Sequence, residues 1–164
     1  MRYARGVRLD LLLLLAAAPL VGCINTDAAI FVAPTLDAPA VAVKNGALGT
    51  SVSGAFHLEL HLGPRASGPS TVTLGQFDIL DAQQAAAIVS PLALTSTPPF
   101  PVTVQPGSDV DLSLTFDTGT KLLGADLGKK LCDAAGIVIG GRIEDSLLGT
   151  ATPVASGVLH ASCQ

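Results

Sequence analysis

Phe56-His57-Leu58-Glu59-Leu60-His61-Leu62 alternates apolar and polar side chains without interruption, and in an extended chain successive side chains point to opposite faces. Phe56, Leu58, Leu60 and Leu62 therefore share one face, with His57, Glu59 and His61 on the other. This predicts a strand with one side in a core and one in water. Val110, Leu112, Leu114 and Phe116 repeat the pattern against Asp109, Asp111, Ser113 and Thr115. Shorter candidates are Ala40 to Lys44, Thr71 to Leu80, Ala86 to Val89 and Phe100 to Val104. They are punctuated by Lys44-Asn45-Gly46, Gly63-Pro64, Thr97-Pro98-Pro99 and Gln105-Pro106-Gly107-Ser108, residue types that favour turns.

Near the C-terminus, Ala135 to Glu144 and Ala151 to Ser162 are β-like runs on either side of Asp145-Ser146-Leu147-Leu148-Gly149-Thr150. They predict a closing hairpin. Before it, Leu123, Leu127, Leu131 and Ala135 recur every fourth residue, so one short helix is expected between Lys121 and Gly136, weakened by Gly124 and Gly128. Asp81 to Ala87 is a second candidate for a helical turn, because Gln83-Gln84-Ala85-Ala86-Ala87 is poor strand material. Seven to nine strands with one helix before the final hairpin make an all-β antiparallel sandwich.

The first 22 residues have a different character. Arg2, Arg5 and Arg8 precede an apolar run from Leu11 to Ala18, broken by Pro19, the order of a secretory signal peptide. Leu11 to Gly22 is 12 residues, too short for the roughly 20 that span a bilayer. A plain secretory signal cleaved elsewhere and a short buried helix are the alternative readings. Leu20-Val21-Gly22-Cys23 resembles the lipobox of bacterial lipoproteins at all four positions. The resemblance implies that Cys23 becomes the first residue of the mature chain and carries diacylglycerol on its sulfur. Position 24 is Ile rather than Asp, which in that family favours the outer membrane. Each buried methylene adds about 0.8 kcal/mol, so two or three acyl chains hold firmly where one does not. Residues 1–22 are then signal, 23–39 an acylated N-terminus and a tether rich in Ala, Pro, Asp and Thr, and 40–164 a single domain.

Three of the nine Lys and Arg, and one of the thirteen Asp and Glu, precede Cys23. The remainder holds six cations against twelve anions, −6. An acidic domain without a basic run has nothing to offer a phosphate backbone, so nucleic acid is not an expected partner. There is no Trp and there are five Phe, so the core must be built from Val, Leu, Ile, Ala and Phe. With Cys23 assigned to lipid, Cys132 and Cys163 remain as a pair in an oxidising compartment, where a disulfide is expected, with a metal-binding pair and a reactive thiol as the rival readings. In an antiparallel hairpin opposed residues have a constant sum of positions, and 132 with 163 centres on 147.5, inside the predicted turn. The two sulfurs are therefore expected to face each other across paired strands. Closing this loop would restrict the unfolded chain by about 3–4 kcal/mol.

The alternation, the Pro-Gly turn before Asp109 and the closing hairpin resemble the immunoglobulin-like sandwiches of bacterial envelope proteins. The Cys, Trp, Cys arrangement of antibody domains is absent, and a fold resemblance does not carry a function.

Three constellations bear on chemistry. His57, Glu59 and His61 lie on one strand face, where alternate side chains stand about 6–7 Å apart; two can converge on one ion, with His160 as a third ligand from elsewhere. A solvated outer face explains the same three residues without a metal. Asp117-Thr118-Gly119, at the end of Leu114-Thr115-Phe116, resembles the active-site loop of aspartic proteases. Those enzymes need two such carboxylates, and this chain has one copy, with Lys121 soon after and no room for a flap before Ile139-Gly140-Gly141-Arg142. A strand ending in an Asp-Thr-Gly turn is the competing reading. Asp109, Asp111, Asp117 and Asp126 do not form the compact loop that calcium prefers. The sequence thus predicts no cofactor and no catalytic residue. It predicts a non-enzymatic, lipid-anchored envelope module whose partner is an envelope protein or a glycan; an aspartic-type peptidase centred on Asp117 and a metal-dependent ligand binder using His57, Glu59 and His61 are the alternatives.

Overall fold

In a computed structural model, residues 28–83, 86–119 and 122–164 are described; the signal segment and Cys23 lie outside them. Ten strands and one helix follow in order: β1 (Ala33–Gly46), β2 (Gly49–Leu62), β3 (Ser70–Asp81), β4 (Ala87–Val89), β5 (Leu94–Thr97), β6 (Val102–Val104), β7 (Ser108–Asp117), α1 (Ala125–Asp133), β8 (Ile137–Asp145), β9 (Ala151–Ala155) and β10 (Ser162–Cys163). One sheet runs β10-β1-β2-β7-β5 and the other β4-β3-β8-β9, with β6 also paired to β3. The molecule is the expected all-β sandwich, with its helix ahead of the β8–β9 hairpin.

The core follows the alternation. Phe56, Leu58, Leu60 and Leu62 of β2, and Leu112, Leu114 and Phe116 of β7, are buried. They face Val72, Phe77, Ile79, Ile139 and Ile143 of the second sheet in one continuous cluster. Phe56 and Phe77 stack across the interface with ring centroids 5.6 Å apart, within the range of favourable aromatic pairing. A Cβ on Gly141 would lie 2.3 Å from the Phe77 ring, so the ring occupies the space that a side chain there would need.

The structure departs from the sequence reading in four places. First, β1 begins at Ala33 and not at Ala40, so residues assigned to a tether belong to the sheet: Thr35 lies opposite Glu59 and Asp37 opposite His57. Pro34 and Pro39 obscured this strand, and the chain accommodates Pro39 at an irregularity between Asp37 and Ala40, where Ala38 has φ 47°. Proline is tolerated at such interruptions because they need no amide donor. Second, β5 is an additional edge strand whose polar Thr95-Ser96-Thr97 offered no apolar alternation. Third, the last predicted strand divides. β8 and β9 pair as Gly140 with Ala155, Gly141 with Val154 and Glu144 with Ala151, which is the predicted register, but the chain then leaves this sheet and returns as β10, parallel to β1. The described strands therefore number ten, not seven to nine, and are not wholly antiparallel. Fourth, Asp81 begins a turn and not a helix: its Oδ1 accepts the amide of Gln83 at 2.8 Å. Gln84 and Ala85 lie outside the described residues.

Helix α1 occupies nine residues of the expected interval. Asp126 in its first turn and Lys130 in its last oppose the helix dipole favourably. Gly128 is the contact residue. A Cβ there would stand 2.4 Å from Thr50 Oγ1 and 2.5 Å from Asn45 Oδ1, so a glycine that weakens the helix locally is what lets it lie on the β1–β2 hairpin.

Candidate functional sites

The outer face of β2 and β7 carries the first candidate set. Register places His57 opposite Ser113, Glu59 opposite Asp111 and His61 opposite Asp109. His61 Nδ1 and Asp109 Oδ1 are 2.5 Å apart, and His57 Nδ1 lies 3.4 Å from Ser113 Oγ. The two histidines thus engage partners on the neighbouring strand. Like charges directly opposed cost stability in a sheet, and the Glu59 and Asp111 pair leaves this face acidic. His160 lies in the segment between β9 and β10. Among the described residues no group of three or more His, Cys, Asp or Glu side chains is arranged to hold a metal ion. That applies equally to His57, Glu59, His61 and His160, and to Asp109, Asp111, Asp117 and Asp126.

Asp117-Thr118-Gly119 forms the turn that ends β7. Asp117 Oδ1 accepts the Gly119 amide at 2.7 Å, and Gly119 has φ 52°, a conformation that glycine adopts without strain. Thr118 ties the turn to β2: its amide donates to Val52 O and its Oγ1 accepts from Val52 N, both at 2.9 Å. These are the bonds of a strand terminus. Around it a groove of about 370 Å³ is walled by Ile88, Leu92, Phe116, Leu123 and Leu127, with Asp117 at its side. A more polar groove of about 630 Å³ continues along α1 past Asp126, Lys130 and Asp133.

Cys132 and Cys163 are disulfide-bonded, with Cα atoms 6.1 Å apart. The bond does not cross the β8–β9 hairpin as its register suggested, because neither cysteine lies in the paired segments. It joins α1 to β10 and so fastens the helix to the edge of the first sheet.

One polar centre escaped the sequence reading, where Asp145 was only the start of a turn. Asp145 is 2% exposed. Oδ2 accepts the Val32 amide at 2.8 Å, and Oδ1 accepts the Leu147 amide at 2.8 Å and the hydroxyl of Ser70. Ser146 Oγ extends the network to Ser70 Oγ at 3.2 Å and to the Thr71 amide at 2.9 Å. Burial alone would raise the carboxyl pKa, but donation from Ser70 and from the amides of Val32, Leu147 and Leu148 brings it below the ordinary value. Asp145 thus joins the chain's entry into the domain, the start of β3 and the β8–β9 turn. Its partners are scattered over more than a hundred residues, which is why local pattern could not reveal them.

Comparison with protein-family models, with curated proteins and with solved structures finds no match to this chain.

Proposed function

We propose that this chain is a non-enzymatic lipoprotein of the bacterial cell envelope: a β-sandwich held to the membrane, with the outer membrane favoured, by acyl chains on Cys23, and serving as a binding, adhesion or assembly-support module. The observation that carries the reading is Leu20-Val21-Gly22-Cys23 after a basic and then an apolar segment. Two features of the domain agree with it. Among the described residues, contacts with the domain are made as near to Cys23 as Ala29 and Val32. The other two cysteines are oxidised to each other, as suits a compartment outside the cytosol. An envelope protein or glycan is the expected partner, met through loops or a sheet edge.

Cys23→Ala tests the anchor. The wild-type chain is expected in the membrane fraction, with an N-terminal peptide heavier by its acyl groups, and the variant in the soluble fraction. An unmodified Cys23 in a mature, membrane-bound wild-type protein would overturn the reading. Affinity capture from native envelopes then identifies the partner.

A further inference from the structure

We infer that the end of the sandwich at which the chain enters, marked by Ile30, Phe31 and Arg65, is a bilayer-contacting face; this rests on the lipidated reading of Cys23. Four segments meet there: residues 28–32, the β2–β3 loop 63–69, the β6–β7 turn 105–107 and the β8–β9 turn 146–150. They are tied together by Gly63 N to Ala29 O at 3.0 Å, Gly107 N to Leu62 O at 2.7 Å and Ser146 N to Thr71 O at 3.1 Å, and by the Asp145 network. Ile30 is 50% and Phe31 39% exposed. They are adjacent large hydrophobics that the domain leaves in water.

Charge points the same way. The four segments contain no Asp or Glu and one cation, Arg65, with Asp27 preceding the first of them, although the chain from Cys23 onward has twice as many anions as cations. Asp145 is buried beneath them, and Asp109 beside them is engaged by His61. The opposite end carries Asp81, Asp117, Asp126 and Asp133 together with Lys44, Lys129 and Lys130, and it exposes Leu48, Leu122 and Val158. An anionic headgroup layer repels carboxylates and attracts Arg, while exposed Ile and Phe gain by entering the acyl boundary. The entry end is set apart by joining Ile30 and Phe31 to carboxylate-free segments on the side where the tether arrives.

Chain length makes a modest contact sufficient. The seven residue steps from Cys23 to Ile30 span at most about 25 Å when fully extended, so an acylated Cys23 keeps this face within reach of the headgroups. A short tether sets an effective concentration in the millimolar range. A contact too weak to recruit a free domain is then occupied much of the time, and the module is held with α1 and the β1–β2 hairpin tip pointing away from the membrane.

The chain has no Trp, so Phe31→Trp and Leu48→Trp each supply a single indole, one at each end of the domain. Full-length protein from a lipoprotein-processing host is placed in phosphatidylcholine and phosphatidylglycerol vesicles carrying brominated acyl chains. The mass of its N-terminal peptide is measured separately. Expected is a blue-shifted emission and several-fold stronger quenching for Phe31→Trp than for Leu48→Trp. Ile30→Trp repeats the measurement if Phe31→Trp does not fold. Acylated protein in which neither indole is quenched overturns the face and leaves the anchor standing. A blue shift that grows with protein concentration, without quenching by brominated lipid, assigns the patch to a second copy of the chain and overturns it as well. An unmodified Cys23 without vesicle association removes both readings, whereas quenching without acylation removes the anchor alone.

Discussion

The two ends of this sandwich are closed by different chemistry. At the entry end a buried carboxylate, Asp145, gathers the amides of Val32 and Leu147 and the hydroxyl of Ser70. At the far end a disulfide fixes α1 to β10, Gly128 lets the helix touch Thr50 and Asn45, and a two-way bridge between Thr50 and Leu123 holds the approach to the helix at 2.9 and 2.7 Å. The first closure depends on ionisation and the second on oxidation. Acid should therefore loosen one end and a reductant the other. Small sheets expose open edges and loops at both ends, and this chain solves the same problem twice by independent means.

The largest effect is expected from Asp145→Ala. It leaves several buried donors without an acceptor, each costing about 1–3 kcal/mol, so chemical denaturation should show a loss of about 3–5 kcal/mol. The sign of the pH effect follows from the lowered pKa in the fold. The contribution of Asp145 is fully present above its unfolded value near 3.8. It is lost as pH falls through that value and then through the lower folded one. Asp145→Asn should flatten this part of the stability profile below pH 4. A wild-type profile that stays equally steep in the Asn variant would place the acid sensitivity elsewhere.

Next comes the disulfide. Cys132 and Cys163 are 31 residues apart, and the chain-entropy relation gives about 3–4 kcal/mol for a loop of that size. The double Cys132→Ser, Cys163→Ser variant should lose about that much and become indifferent to dithiothreitol, while the slope of its stability against pH stays that of the wild type. If losing the disulfide also changed that slope, the two closures would be one cooperative unit. Their independence would then be wrong.

Gly128→Ala should be smaller, and its sign decides between two accounts of the same residue. In an isolated helix the change gains about 1 kcal/mol. Here the new Cβ would meet Thr50 and Asn45 at 2.4 and 2.5 Å, and overpacking of this kind costs about 1–3 kcal/mol. A net loss of about 1–2 kcal/mol is expected in denaturant. A gain would show that the helix moves away freely and that the far end rests on the disulfide alone.

What could be read in the sequence was what is periodic or local. The strand cores of β2 and β7 were legible because seven buried apolar residues alternate there with polar ones. The β8–β9 hairpin was legible because its two runs flank a local turn, and its register coincides with the centre that the cysteines gave although the disulfide does not cross it. β1 was partly hidden by its prolines, and β5 and β10 by their small polar residues. The disulfide was legible from cysteine counting, yet its geometry was not: the path from β9 across to β10 depends on packing between sheets. Of the candidate site, the outer face of His57, Glu59 and His61 was visible, and its partners Asp109, Asp111 and Ser113 follow from pairing.

Asp117 and Asp145 make the limit sharp, and they yield the smallest predicted effect. Each ends a strand, and each accepts the amide two residues on, at 2.7 Å from Gly119 and 2.8 Å from Leu147. This is the ordinary local bond of an Asp turn. In sequence the two are equivalent, and the Asp-Thr-Gly run even makes Asp117 the more suggestive. In the fold only Asp145 is buried and bonded to distant segments. Asp117 is exposed, and an Asn side-chain oxygen can accept the same amide, so Asp117→Asn should change stability by no more than about 0.5 kcal/mol. A larger loss would mean that the carboxylate faces a charge that the turn alone does not supply. A peptidase activity abolished by Asp117→Asn would reverse the functional ranking of the two residues, because the weight of Asp117 would then lie in chemistry and that of Asp145 in holding the entry end closed.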